Sequence, residues 1–224
     1  MSSDNISNLA GAHAIFSPSQ SSWLRYDISK MIEKIHTYYR VILGTEIHEF
    51  AADQISLGQK LATPKSVKEN LKTFIFKKYK GNDNKITPFG ERVLDEISFL
   101  PKVVYDTTRV YIQDCVGFKM DPEVELRYSN LFWGTSDCVS FRDGYLRIHD
   151  LKTGAIPAHM EQLQVYAALY CLMHDVKVND ISIELRIYQN SEVVCDKPTA
   201  ETIGSIMNFM VKRDFELRKA MGEL

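Results

Sequence analysis

The sequence predicts an α/β fold, helical in its N-terminal half and, after that, built on strands with one helix among them. Three observations predict it. Apolar residues recur at helical spacing in the first half, as Val67, Leu71, Phe74 and Ile75 do. Strict alternation replaces that period at 181–189, with Ile181, Ile183, Leu185 and Ile187 on one side and Ser182, Glu184, Arg186 and Tyr188 on the other. Between the two regions, Arg142-Asp143-Gly144-Tyr145 is a strong two-residue hairpin signal, because Asp-Gly supplies the positive backbone angles a tight hairpin turn needs.

The elements follow in order. Residues 1–12 read as a flexible start. Ser17-Pro18-Ser19 reads as a helix entry, with Trp23, Tyr26 and Ile28 beyond it. A helix over roughly 40–58 carries Val41, Ile42, Ile47, Phe50, Ala51 and Ile55. Thr63-Pro64 and Thr87-Pro88 each pair a capping hydroxyl with a proline at the first helical position. Gly81-Asn-Asp-Asn84 is the loop between those helices, and Pro101 opens a fourth helix running to Gly117. Strands are expected at 123–130, 134–142, 145–152 and 181–189, with a short partner at Val193-Val194. An apolar helix covers 158–174, and Thr199 caps the last one. Residues 13–224 thus read as one domain: 13–118 mainly helical, 119–198 the sheet and its helix, 199–224 the C-terminal helix.

The chain has 224 residues, 45% apolar and 25% charged, enough for one sizeable core. Its net charge of −2 carries no general attraction to nucleic acid. The charge is uneven, however. Residues 65–85 hold seven lysines against Glu69 and Asp83, so that window carries +5 and the rest −7. Lys72, Lys77, Lys78 and Lys80 are the candidate DNA-backbone contacts; a lysine-rich solvated helix face is the bland alternative. Cys115, Cys138, Cys171 and Cys195 are far apart and show no C-x₂-C spacing, which argues against a zinc knuckle. Residues 1–11 lack the basic and apolar regions of a secretory signal, and no apolar run reaches membrane-spanning length. A reducing cytoplasm is the expected compartment.

The chemistry gathers around the hairpin. With Asp143-Gly144 as a two-residue turn, cross-strand partners have numbers summing to 287, and Asp137 and Asp150 do so. Their Cβ atoms are expected roughly 4.5–5.5 Å apart. Two carboxylates that close need a cation between them, and a hard divalent ion is the usual one. Lys152, two residues past Asp150, shares its face. Asp-x-Lys alone is common on solvated strands; the turn-matched Asp137 is what sets this one apart. His48, on a helix, is a candidate ligand beside the carboxylates. Gln162 and Tyr166 lie one turn apart on one helix face and can hold a phosphate. Glu125 is a possible further acid, with Glu123 competing for the place at the same parity.

Taken together, these motifs resemble the RecB-like branch of the PD-(D/E)XK nuclease superfamily. Ser17-Pro18-Ser19, Gly44-Thr45-x-x-His48, Gly134-x-x-Asp137, Asp150-x-Lys152-Thr-Gly154 and Gln162-x-x-x-Tyr166 follow in that family's order over residues 17–166. Ser136 stands where the "PD" proline would be. The resemblance implies a restriction-endonuclease-like core, a central mixed sheet flanked by helices. It implies Mg²⁺ or Mn²⁺ held by His48, Asp137, Asp150 and the Leu151 carbonyl. Lys152 would assist the attacking water, supported by Gln162 and Tyr166. The Trp23-Leu-Arg-Tyr26 stretch and the C-terminal helix hold none of the cysteines of the cluster-bearing members, so no iron–sulfur cluster is expected.

The expected function is a metal-dependent DNA nuclease, an exonuclease on linear double-stranded DNA. It would be of the stand-alone phage or bacterial type and act in recombination or DNA processing, since no Gly-x-x-x-x-Gly-Lys-Ser/Thr helicase motif occurs. A single-strand annealing protein is the partner the resemblance implies. A homo-oligomer is open, and the compartment is the host cytoplasm for a phage-encoded protein. The alternative reading keeps the fold and loses the chemistry, as a nucleic-acid- or partner-binding module. A third is a hydrolase of another phosphoester.

Overall fold

A computed structural model describes residues 14–154 and 156–223. The start expected to be flexible, residues 1–12, lies outside them. Helices α1 (Ile28–Ser56), α2 (Pro64–Lys78), α3 (Pro88–Ile97) and α4 (Lys102–Gly117) precede strands β1 (Asp121–Arg127), β2 (Trp133–Arg142) and β3 (Tyr145–Leu151). Helix α5 (Glu161–Met173), strands β4 (Ser182–Gln189) and β5 (Glu192–Asp196), and helix α6 (Ala200–Ala220) complete the chain. The fold is therefore mixed α/β with a helical N-terminal half.

Local chemistry explains most boundaries. The Thr63 side chain accepts the Ser66 N–H, Ser66 Oγ returns the bond to the Thr63 backbone, and Pro64 follows at the first helical position. The Thr87 and Thr199 side chains cap α3 and α6 by accepting the Gly90 and Thr202 N–H groups. The N-terminal entry differs from its expectation. Pro18–Arg25 is a 3-10 stretch with a non-helical Gln20, and the long helix starts only at Ile28, capped by Asp27. Ile28, Ile32, Ile35 and Tyr39 recur at helical spacing in its first turns, although Ile28 and Ile32 stay exposed, and the helix read as 40–58 begins twelve residues earlier.

The five strands lie in sequence order, β1-β2-β3-β4-β5. β1–β2, β2–β3 and β4–β5 are antiparallel; β3–β4 is parallel, with α5 as the crossover. Asp143 and Gly144 both have positive φ, 51° and 72°, as a tight hairpin turn requires. Each cross-strand pair from Arg142↔Tyr145 to Cys138↔His149 sums to 287.

Helices cover both sheet faces. On one, α1 to α4 bury Ile47, Phe50, Leu71 and Ile112 against Cys138, Leu151 and Tyr188. On the other, Leu146, Ile148, Leu185 and Ile187 meet Leu163 and Ala167 of α5 and Ile203 and Met210 of α6. The strict alternation of β4 suggests one buried and one solvated side. Its polar side is covered too, with Glu184 and Tyr188 buried. Asp114 of α4 accepts hydrogen bonds from Tyr188 Oη (2.7 Å) and Arg186 Nη1 (3.1 Å), and Arg186 Nη2 lies 2.9 Å from Glu184. Alternation had shown polar residues there, and a buried polar network produces the same pattern as a solvated face.

Ile148, fully buried at the sheet centre, and Val194, half exposed on edge strand β5, give a direct test of this layering. Ile148→Ala is expected to cost about 2–5 kcal/mol by urea unfolding, and Val194→Ala about 0.5 kcal/mol or less. Equal costs would place the core elsewhere.

Candidate active site

Four elements converge at the C-terminal end of β3. Continuing the hairpin register places Asp137 opposite Asp150. Asp150 is buried, and its carboxylate lies 3.0–3.1 Å from Lys152 Nζ. Lys152 Nζ also donates to Gln162 Oε1 at 3.2 Å, and Gln162 Nε2 donates to Tyr166 Oη at 3.4 Å. Asp137 Oδ2 accepts the Leu151 N–H at 2.9 Å and sits 3.2 Å from His48 Nδ1. The structure thus brings together His48, Asp137, Asp150, Leu151, Lys152, Gln162 and Tyr166, although α1 and α5 belong to opposite layers.

Two glycines make the approach possible. A Cβ on Gly44 would stand 3.3 Å from Thr153 Oγ1, so a bare backbone lets α1 close on the segment after β3. A Cβ on Gly134 would stand 3.1 Å from the Tyr166 ring, a tight approach that the bare backbone of residue 134 relieves.

The further acid at this site is Glu123, not Glu125. Glu125 is exposed and pairs with Arg127 at 2.9 Å. Glu123 falls opposite Asp137, where the β1–β2 ladder skips one pair between Pro122↔Cys138 and Val124↔Ser136. Its φ of 52° is unusual for a side-chain-bearing residue. With His48 and Asp137 it lines a cleft of about 830 Å³. The basic patch also changes. Lys78 is tied to Glu46 at 2.8 Å and to Glu49, and Lys72 to Glu69 at 3.4 Å. Lys77 and Lys80 remain exposed, without an ion pair among the described residues.

Electrostatics mark the same residues. Burial pushes the Asp150 carboxyl up to about 6, the Asp137 charge adds to the rise, and Lys152 and His48 pull against it. Burial opposes a charged His48, but the hydrogen bond and charge of Asp137, with the charge of Asp150, outweigh it and raise the imidazole's pKa. Burial and the Asp137 charge also raise Glu123. On the opposite side of β3, burial and the charges of Arg186 and Arg147 push His149 down to about 3. Tyr188 Oη donates to Asp114 and lies 3.2 Å from His149 Nδ1, and the buried His149 Nε2 has no hydrogen-bond partner among the described residues.

Among the described residues, no three His, Cys, Asp or Glu side chains stand arranged to hold a metal ion. The donor chemistry nevertheless suits one: two or three carboxylates and an imidazole. Asp150 Oδ2 is buried without a hydrogen bond, and Lys152 approaches it only as an ion pair. Cys115, Cys138 and Cys171 are buried, and Cys195 is exposed. No helix of the described residues is long and apolar enough to cross a membrane. Comparisons with family models, curated proteins and solved structures find no match to the chain.

Ionising Asp150 costs the fold stability, because its folded pKa lies above the unfolded value of 3.8. The loss sets in as pH rises past that value and is complete above about 6. Two units correspond to about 3 kcal/mol. In chelator, Asp150→Asn is expected to exceed the wild type in stability by up to about 3 kcal/mol near neutral pH, the gain vanishing at about pH 4. A pH-independent difference in thermal unfolding would contradict this environment for Asp150.

Proposed function

We propose that the protein is a metal-dependent DNA nuclease that hydrolyses phosphodiesters at the ends of linear DNA, in recombination or DNA processing. The observation that carries this reading is the meeting of Asp137, Asp150, Lys152 and Gln162 with His48 at one strand end. The element order supports it as well. A long helix, three antiparallel strands, a crossover helix and a parallel fourth strand are the parts of a restriction-endonuclease-like core, which we propose for this sheet.

Asp137, Asp150, the Leu151 carbonyl and His48, with Glu123 beside them, are the groups that would hold Mg²⁺ or Mn²⁺. Bound there, the ion would acidify a water and offset charge growing on the phosphate. The protein's own residues supply the rest. Lys152, held by Asp150 and Gln162, presents an ammonium to the attacking water or to the phosphate oxygens. Gln162 aims Lys152, and the Tyr166 hydroxyl extends the row of uncharged donors toward the scissile strand. Leu151 N–H fixes one Asp137 oxygen, which keeps that carboxylate from swinging away.

End-labelled linear duplex and closed circular DNA, incubated with Mg²⁺, Mn²⁺ or EDTA, test the reading. Metal-dependent loss of the linear form is expected, reduced about 10²–10⁴-fold in Asp150→Ala and Lys152→Ala. DNA binding without cleavage, alike in all three proteins, would make the chain a binding module instead.

A further inference from the structure

The cleft beside the carboxylates continues well past them. Helix α1 lines it with Arg40, Gly44 and His48, four residues apart, and Phe99 and Val41 form its apolar wall. Arg40 and His48 are separated by about 12 Å of helix, or roughly three nucleotide steps of a stacked strand.

The far end of the cleft is built, not incidental. Glu96 of α3 is buried, and its two oxygens are shared. Oε1 meets His36 Nδ1 at 2.5 Å, and Oε2 lies 3.4 Å from Arg40 Nε. The Phe99 ring stands edge-on to His36, centroids 5.5 Å apart, yet is 61% exposed. One buried carboxylate thus fixes both a guanidinium and, through His36, an aromatic plane at the mouth of the cleft. Arg40 keeps its terminal nitrogens without a protein hydrogen bond among the described residues. A cation for phosphate and a ring for bases are the two parts of a single-strand site. At about 830 Å³ the cleft is on the scale of a pocket for one extended ligand.

We propose that this cleft holds an unpaired DNA strand running from the carboxylates to Phe99 and Arg40, so that the protein engages single-stranded or overhanging ends before blunt duplex. Phe99 stacks a base, Arg40 takes a phosphate, and Glu96 positions both. The inference rests on the nuclease reading for the direction of the strand but not for its binding.

Fluorescent single strands, blunt duplexes and duplexes with short overhangs, titrated in EDTA, test it. Wild type is expected to bind single strands and overhangs more tightly than blunt duplex. Phe99→Ala should weaken overhang binding about tenfold, with blunt-duplex binding and circular dichroism unchanged, and Phe99→Trp should restore it. Arg40→Gln should lower the salt slope by about 0.7. Equal affinity of wild type for all three DNAs, or equal losses on overhang and blunt duplex, would overturn the proposal. Metal-dependent cleavage that ignores Phe99→Ala on overhanging ends would overturn it and leave the nuclease standing. Strand binding that obeys Phe99 without any cleavage would do the reverse.

Discussion

A carboxylate buried beside a second carboxylate is costly, and Asp150 is in that position. Lys152 meets part of the cost. It is local, two residues on along the same strand, so little chain entropy is spent to bring it there. Asp137 is relieved differently, by a backbone N–H and an imidazole from another layer. The two acids are therefore flanked around the strand end, Asp137 by His48 and Asp150 by Lys152. Remove the ammonium and only His48 remains beside the pair. The site is a set of mutually dependent charges, and the fold carries its cost at neutral pH, as strained functional constellations do elsewhere.

The acid pair was legible because its geometry is closed by two residues. Asp143-Gly144 admits one turn family, the turn sets the register, and the register names the partners. Glu123 was not legible for the converse reason. β1 and β2 are joined through residues 128–132, a loop with no such dipeptide, so nothing in the sequence chose between 123 and 125. The ion pairs of Lys78 were not legible because its acids, Glu46 and Glu49, lie on a different helix some thirty residues earlier. Arg40 and Phe99 carried no signal either, since their meeting depends on how α1 packs against α3. Gly44 and Gly134 stood in the motifs by pattern alone, and their reason is steric: each removes a Cβ where another element must pass.

The back of β3 explains why its front is so well placed. Asp114, Arg186, Glu184, Tyr188 and His149 lock β3 and β4 to α4 through hydrogen bonds among buried groups, which fix a unique arrangement where apolar packing alone would allow slippage. His149 and Asp150 are neighbours in the chain, on opposite sides of the strand, and burial shifts them in opposite directions. His149 is held neutral at neutral pH, whereas Asp150, raised only to about 6, is ionised there and needs the groups around it.

The strand order has a kinetic meaning. Each strand lies beside its sequence neighbours, so the sheet grows without threading, and only the β3–β4 junction waits on a helix. Short-range closures of this kind form early, because little loop entropy opposes them. The hairpin that opposes Asp137 and Asp150 is among the shortest closures in the molecule, whereas His48 must arrive from a helix some ninety residues upstream. During folding the two acids therefore meet before His48 reaches them. Lys152, carried on the same ribbon, is the one positive charge present from the start, and it escorts the acid pair through the interval before α1 docks.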